Sequence, residues 1–452
     1  MPRAGARAGT RGRMAKKLKK PAVERYRSVQ RIEVYVWGLY VGAAALDPNL
    51  GYYVFAYDKA FGRSGIELSP LHMPADDAEK LYVFADLPEA TCRRLPAMLA
   101  DALPDEFGNA LIDKYMAERG LPKSRIGALD RLAYMGKRAM GALEFKPARG
   151  PQTKIPAALA MGELVAMARK AVAGNLDGDS SAEAALRSII EVGTSANGAR
   201  AKAVIGWNRK TSEIRSGQFE LLPGFEHWLL KFDGMGEDRE LGLSQDFGRI
   251  EYAYSLMAKQ AGINIPESRL LEENDRAHFM TRRFDREDDG TKHHLQSLCA
   301  MDHLDFKKKS ANSYEQLFMT IRQLKLGRSA EIEAFRRMAL NVMGKNCDDH
   351  TKNFSFLLKK GGSWELSPAY DVTFAHSPEG EWTNQHLMSV NGKFAEIAKE
   401  DCLALANRFG IGEAPSILKQ VRGAVEAWPS FARKAGVQAR EIKRIKEQLE
   451  LL

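Results

Sequence analysis

The sequence predicts an α+β protein in which a strand-containing half is followed by a mostly helical half, with an additional α/β domain in front. Three observations predict it. Segments rich in Val, Tyr and Phe cluster between residues 32 and 57 and again within 190–284. Helical periodicity dominates from about residue 285 onward. A three-proline stretch without periodicity, "FKPARGPQTKIPAA", separates the first group from the rest and places a boundary near residue 150.

The elements follow in order. "RIEVYVWGLYVG" and "GYYVFAYD" read as strands joined by Gly and Pro-Asn turns. Residues 88–146 read as helices, with "EFGNALIDKYMAERG" amphipathic and stopped by Gly120 and Pro122. "SAEAALRSIIEVG" reads as a short helix entering the loop "TSANGARAK", and "AKAVIGW" and "HWLLKF" follow as strands. "GRIEYAYSLMAKQAGI" is helical and ends at Gly262, with Pro266 beyond. In "EIEAFRRMALNVMG", Ile332, Phe335, Met338, Ala339, Val342 and Met343 keep a helical period, and Gly344 suits the C-cap. "NFSFLL" and "SWEL" form a hairpin across "KKGG".

A chain of 452 residues accommodates two or three domains with sizeable cores. Its apolar fraction of 44% and charged fraction of 28% are ordinary for a globular protein. No stretch approaches the roughly 18 unbroken apolar residues of a membrane helix. The first 20 residues lack a signal-type apolar core, which argues against secretion. Cys92, Cys299, Cys347 and Cys402 are scattered without a C-x-x-C pair. That pattern disfavours a zinc site or disulfide framework and suits a reducing cytoplasm.

The net charge of +9 suggests nucleic acid until it is located. Residues 1–20 hold eight Lys or Arg and no acid, and without them 59 basic residues face 58 acidic ones. The excess belongs to a basic tail expected to be disordered, suited to loose, salt-sensitive contact with phosphate backbones or to solubilisation.

One short run, "KNCDDHTKNFSFLL", carries the chemistry. Phosphoryl transfer needs a carboxylate at the attacking hydroxyl, oxygen ligands for magnesium and a cation on the phosphates. Asp348 and Asn353 stand in D-x-x-x-x-N spacing, which Asp349 does not share. After the hairpin, "SPAYDVTF" supplies Asp371 as a second metal-binding carboxylate. Lys231 is the candidate strand lysine, with Glu251 on the next helix as its ion-pair partner. Singly these are weak signals, since Lys231 alone reads as a snorkelling edge residue. Their order and spacing point to a kinase-like site.

Two neighbouring motifs stay ambiguous. Gly193 and Gly198 have G-x4-G spacing, but Ala199 and Arg200 follow where a Walker loop has Lys and Ser/Thr. The loop's amides and Lys202 suit a phosphate, while a plain helix-to-strand turn is the alternative. Asp348, Asp349 and His350 also read as ligands of a metal phosphohydrolase, although no second His/Asp motif matches them.

From about residue 30 to 430 the chain resembles the HipA family of bacterial serine/threonine kinases, the toxins of HipA–HipB toxin–antitoxin pairs. "VYVWGLYVGAAAL", "LPDEFGNALIDKY", "RAMGALEFKP", "TSANGARAKAVI", "HWLLKFDG", "EYAYSLMAKQAGI" and "MTRRFDR" carry the likeness, and "NCDDHTKNFSFLL" with "LSPAYDVTFA" are its most specific motifs. The resemblance implies a two-lobed, protein-kinase-like fold with a mostly helical C-terminal lobe and an additional N-terminal α/β domain. The boundaries expected are a tail at 1–20, a HipA N-terminal-like domain at 21–150, a nucleotide-binding lobe at 151–284 and a helical catalytic lobe at 285–452.

It further implies ATP and Mg2+ as cofactors, with Asp348 as proton acceptor, Asn353 and Asp371 as magnesium ligands, and Lys231 on the ATP phosphates. Asn197, Gly198, Ala199, Arg200, Ala201 and Lys202 fall in the phosphate-binding loop. Arg282, Arg283 and Phe284 match an adenine-holding hinge, and His350, Lys352 and Tyr370 fall among nucleotide-contacting positions. Ser195 matches the serine whose autophosphorylation ejects the loop, with Thr194 beside it. Asn197 and Ala201 depart from the Gly and Pro common in such loops, and Arg282 stands where some members have Glu. The partners implied are a protein substrate, such as an aminoacyl-tRNA synthetase, and a helix-turn-helix HipB-like antitoxin that brings the kinase to DNA; growth arrest is the implied outcome. The alternatives are a catalytically weak corepressor or binding module, and the metal phosphohydrolase.

Overall fold

The computed structural model describes residues 25–76, 79–104, 106–151, 158–159, 202–217, 221–233, 246–273 and 276–452. Strands β1 (Arg31–Val36), β2 (Leu39–Leu46), β3 (Tyr53–Tyr57), β4 (Leu81–Tyr82) and β5 (Leu143–Lys146) form an antiparallel sheet in the order β4-β3-β2-β1-β5. Along β1, Ile32, Val34 and Val36 are buried and Arg31, Glu33 and Tyr35 face away, the period of a half-covered strand. Helices Glu106–Ala117 and Ala128–Met135 belong to the same domain. The helical expectation for 88–146 therefore fails at its end. Leu143 and Phe145 bury one face of β5, and the strand pairs with β1, more than 100 residues away. Four residues are too short a run to declare a strand without that partner.

The second sheet runs β10-β11-β9-β7-β8-β6, where β6 is Ala158–Leu159, β7 Lys202–Asn208, β8 Ile214–Ser216, β9 Phe225–Lys231, β10 Ser268–Glu273 and β11 Arg276–Arg282. Helix Phe247–Gln260 packs on β10 and β11. Gly248 makes that approach feasible, because a Cβ there would lie 2.1 Å from the Ala277 carbonyl oxygen. Close approach is what allows Glu251, one turn on, to reach the sheet.

The remainder is mostly helical. Helix Arg328–Met343 turns Phe335, Met338, Ala339, Val342 and Met343, all fully buried, toward Phe318, Leu405, Val421 and Trp428. It ends at Gly344, whose φ of −85° is ordinary, so glycine is not needed there for backbone freedom. Its reason is space: a Cβ would meet Leu340 O at 2.7 Å and Tyr254 Cε1 at 3.3 Å. The chain then reverses through Lys345 in left-handed geometry, φ 51°, and enters the run Asn346–Asn353.

That run leads into a three-stranded sheet of β12 (His294–Ser297), β14 (Ser355–Leu358) and β15 (Trp364–Leu366). The expected β14–β15 hairpin is present, with Phe356 opposite Leu366. β12, inside a segment read as mostly helical, adds a third strand through the Ser297–Ser355 register. β13 (Asn312–Ser313) makes a short parallel pair with β16 (Met388–Ser389).

The N-terminal domain is hydrogen-bonded to the rest of the chain at several points. Trp37 Nε1 donates to Lys292 O (2.6 Å), Trp364 Nε1 donates to Glu67 O (2.9 Å) and Thr91 Oγ1 donates to Asp305 (2.5 Å). Its core is continuous with that of the second sheet through Ile205, Trp228 and Leu230.

Candidate active site

The end of helix Arg328–Met343 fixes the loop that follows it. Asn346 N–H donates to Asn341 O (2.9 Å), Asn346 Nδ2 to Asn341 Oδ1 (3.0 Å), and Asn341 Nδ2 to the Tyr314 hydroxyl (3.0 Å). The Tyr314 hydroxyl in turn donates to Asp349 Oδ2 (2.8 Å), which also lies 2.9 Å from His386 Nδ1, while Leu387 N–H donates to Asp349 Oδ1 (2.7 Å). Asp349 is thus fully buried and its oxygens are occupied. Burial alone would lower the His386 pKa, but the Asp349 carboxylate raises it to about 10. Asp348 points the other way, with its side chain 50% exposed and Oδ1 3.7 Å from His350 Nε2. Adjacent carboxylates have opposite environments. A metal triad of Asp348, Asp349 and His350 therefore does not form: Asp349 is spent inside the fold.

Asn353 closes the loop by donating from Nδ2 to Asp348 O (2.7 Å). That bond turns Asn353 Oδ1 into a buried acceptor with no hydrogen-bond partner among the described residues. An orphaned buried oxygen is costly unless something occupies it.

Lys231, at the end of β9, lies opposite Lys202 of β7 and Phe279 of β11. Its ammonium bonds both Glu251 and Asp371. Burial would lower its pKa, and the two carboxylates together raise it. For Asp371 the signs reverse: burial raises the pKa, and Lys231 first, then Lys202, bring it down to about 2. Asp371 holds φ 53°, an uncommon conformation for a non-glycine residue. The Asn346 side chain touches its carbonyl at 3.5 Å, linking it to the Asp348 loop.

These groups stand at one end of a cleft enclosing about 980 Å³ of space, part of it open to solvent. Its walls include Lys231, Glu251, Asp371, Tyr370 and the segment Arg282–Phe284. Arg282 N–H is taken by Glu267 O and Arg283 N–H by His227 O, both at 2.9 Å. The Phe284 ring lies 5.9 Å from that of Tyr370. The Arg282 side chain pairs with Asp288 (2.6 Å) at the surface, whereas Arg283 is buried against Asp285 (2.7 Å). The Tyr370 hydroxyl donates to Lys352 O (2.7 Å) and sits 2.5 Å from Ser355 Oγ. Phe306 packs against His350 at 5.3 Å and under Lys352 at 4.9 Å.

The structure thus joins Lys231, Glu251 and Asp371 on the cleft, and separately Asp348, Asn353 and His350 in the loop beside it, where Asn353 lines a smaller pocket that shares Tyr370 with the cleft. Ser195, Thr194 and loop residues 197–201 lie outside the described residues, as do the tail 1–20 and the helix read in 181–193; Lys202 is described and buried. Asp101 and Met140, which also line the cleft, carry no signal in sequence, because they come from another domain. The unpartnered Asn353 Oδ1 and the Asp371 carboxylate are hard oxygen donors, the chemistry that suits a divalent cation such as Mg2+.

The chain matches the HipA-like C-terminal domain over residues 194–449 and the HipA N-terminal domain over residues 32–146. A Haemophilus influenzae protein named "Putative kinase" is 32% identical over 153 residues, which make up 31% of this chain and 44% of that relative. Among solved structures, one chain of the Shewanella oneidensis MR-1 toxin–antitoxin complex of HipA, HipB and operator DNA superposes with a TM-score of 0.65. It is 18% identical, with 92% of this chain and 95% of that chain covered, so the likeness speaks to the fold. The Helicobacter pylori proinflammatory kinase CtkA gives a TM-score of 0.32 at 11% identity, covering 50% of this chain and 88% of its own, too distant to bear on the fold.

Proposed function

The chain belongs to the HipA family, and from that premise we propose that it is an ATP- and Mg2+-dependent serine/threonine-protein kinase, the toxin of a toxin–antitoxin pair, built as two kinase-like lobes with the N-terminal domain added. The observation that carries the reading is the Lys231–Glu251–Asp371 ion-pair set on the cleft, with an exposed Asp348 whose loop is closed by Asn353 and tied to the Asp371 carbonyl through Asn346.

In this reading Lys231, held by Glu251, neutralises phosphate charge when a nucleotide displaces Asp371 from it. Asp371 and Asn353 Oδ1 hold the magnesium ion, which supplies charge neutralisation on the phosphates. Asp348 accepts the proton of the substrate hydroxyl as its oxygen bonds to the γ-phosphorus and the bond to the β–γ bridging oxygen breaks, leaving ADP. Pre-positioned charge, not covalent help, provides the acceleration.

The cellular reading is growth arrest through phosphorylation of a translation component such as an aminoacyl-tRNA synthetase, in the cytoplasm. Phosphorylation of Ser195 is the self-silencing step, and a HipB-like helix-turn-helix antitoxin is the partner that brings the chain to DNA. No helix among the described residues is long and apolar enough to cross a membrane. The test is incubation with labelled ATP and Mg2+ alongside a cell extract. Label transferred to protein Ser or Thr supports the kinase; nucleotide binding without transfer would make the chain a binding module instead.

A further inference from the structure

Two residues of the N-terminal domain line the cleft, Asp101 and Met140. The loop carrying Met140 is fastened to the hinge on both sides. Arg286 donates to Ala139 O (3.0 Å) and Gly141 O (2.8 Å), and Gly141 N–H donates to Asp285 Oδ2 (2.8 Å). Met140 is held between these bonds, beside the Arg282–Phe284 wall. A thioether on an unbranched side chain adapts to a flat aromatic surface.

Asp101 follows the short helix Ala97–Ala100 and meets the end of β12. Its Oδ2 accepts from Ser297 N–H (2.7 Å) and its Oδ1 from the Ser297 hydroxyl (2.8 Å). Ser297 faces Ser355 across β12 and β14, and Ser355 touches Tyr370, so Asp101 adjoins a row of hydroxyls that also line the cleft. A carboxylate has about four acceptor positions, and Ser297 uses two. What remains is acceptor capacity, which repels phosphate oxygens and attracts donors.

We propose that the N-terminal domain completes the nucleotide site: Asp101 accepts a hydrogen bond from a donor on the nucleoside, and Met140 packs on the base. The inference rests on the kinase reading of the cleft. The donor chemistry is shared by the ribose hydroxyls and the exocyclic amino group, and analogues separate them.

The experiment is calorimetric titration of the full chain with the Mg2+ complexes of ATP, 2′-deoxyATP, 3′-deoxyATP and purine riboside triphosphate. Parent, Asp101→Asn, Ser297→Ala and Met140→Ala proteins are compared. Asp101→Asn should weaken ATP about tenfold, the scale of one charge-assisted hydrogen bond, and should erase the parent's discrimination against one analogue. That analogue names the donor. Ser297→Ala removes the hydroxyl contact but leaves the carboxylate, and should keep the discrimination. Met140→Ala touches no hydrogen bond and should weaken all four ligands several-fold, which keeps the test open if Asp101→Asn disturbs folding. If every variant keeps parental analogue ratios and Met140→Ala keeps parental affinity, Asp101 merely fastens Ser297 and the inference fails while the kinase reading stands. A parent that binds none of the four overturns both.

Discussion

Asp349 and His386 meet across 2.9 Å with both side chains buried, and this pair holds one of two adjacent aspartates inside while the other stays exposed. Asp349 anchors the loop from inside, so Asp348 is presented outside. Substituting the two should break different things. Asp348→Asn should abolish phosphoryl transfer, leave Mg-ATP affinity within about twofold and leave the melting temperature unchanged. Asp349→Asn should lower stability by about 3 kcal/mol, because it leaves the His386 charge buried without its counter-ion. Paired activity assays and urea denaturation check both, and an active Asp348→Asn enzyme would show the loop to be out of register.

The same pair sets a pH dependence. In the folded chain the His386 pKa stands near 10, above the ordinary value of 6.5. A group raised on folding contributes stability that is fully present below its unfolded pKa and is lost as pH rises through the folded one. The stability difference between parent and His386→Gln should therefore be largest below about pH 6.5 and shrink steadily toward pH 10. Denaturant titrations at four or five pH values would reveal a flat difference if the pair were uncharged.

Lys231→Met should uncouple two effects. Without nucleotide it leaves Glu251 and Asp371 facing each other without a cation, which should destabilise the fold by on the order of 3 kcal/mol. A Glu251→Gln, Lys231→Met double variant should recover part of that stability and none of the activity. Thermal melts and kinase assays on the three proteins suffice. Full stability in the single variant would mean that the ion-pair set does not hold the cleft together.

Asn353→Ala and Asp371→Ala each remove one oxygen from the proposed cation site. Mg-ATP affinity should fall about tenfold or more in each, and magnesium-free ATP affinity should change far less. Calorimetry with and without Mg2+ distinguishes them, and equal losses in both conditions would place the residues on the nucleotide instead of the metal.

Active enzyme should carry phosphate on Ser195, and the Asp348→Asn enzyme should carry none. A phosphoserine adds about two negative charges, which on the proposed reading of this run as a phosphate-binding loop would repel ATP. Peptide mass spectrometry assigns the site. Fully phosphorylated enzyme that still binds ATP would rule out silencing by this route.

The site was legible where its chemistry is sequential. D-x-x-x-x-N spacing, the hairpin after it and Asp371 sit within 24 residues, and Glu251 follows Lys231 on the next helix. What could not be read are the pairings made by folding. Spacing favours Asp348 over Asp349, but that Asp349 is buried against His386, 37 residues on, is visible only in the fold. Arg282 and Arg283 look like hinge donors until Glu267 and His227 take their amides. β5 and β12 are four-residue strands whose identity depends on β1 and β14. Asp101 and Met140 reach the cleft only because another domain docks there.

That docking has a consequence for the Arg283–Asp285–Arg286 cluster. Asp285 is fully buried between two guanidinium groups, and the buried Arg286 side chain also donates to the carbonyls of Ala139 and Gly141. Cutting the chain near residue 150 would expose this cluster to water on one side while stripping its acceptors, just behind the segment that shapes the base pocket. A catalytic fragment trimmed at the apparent boundary would therefore inherit a loosened hinge. Interdependence of this kind couples the two domains, so a partner that pried the first one away would disturb the cleft, and on the kinase reading the proposed activity, without touching Asp348.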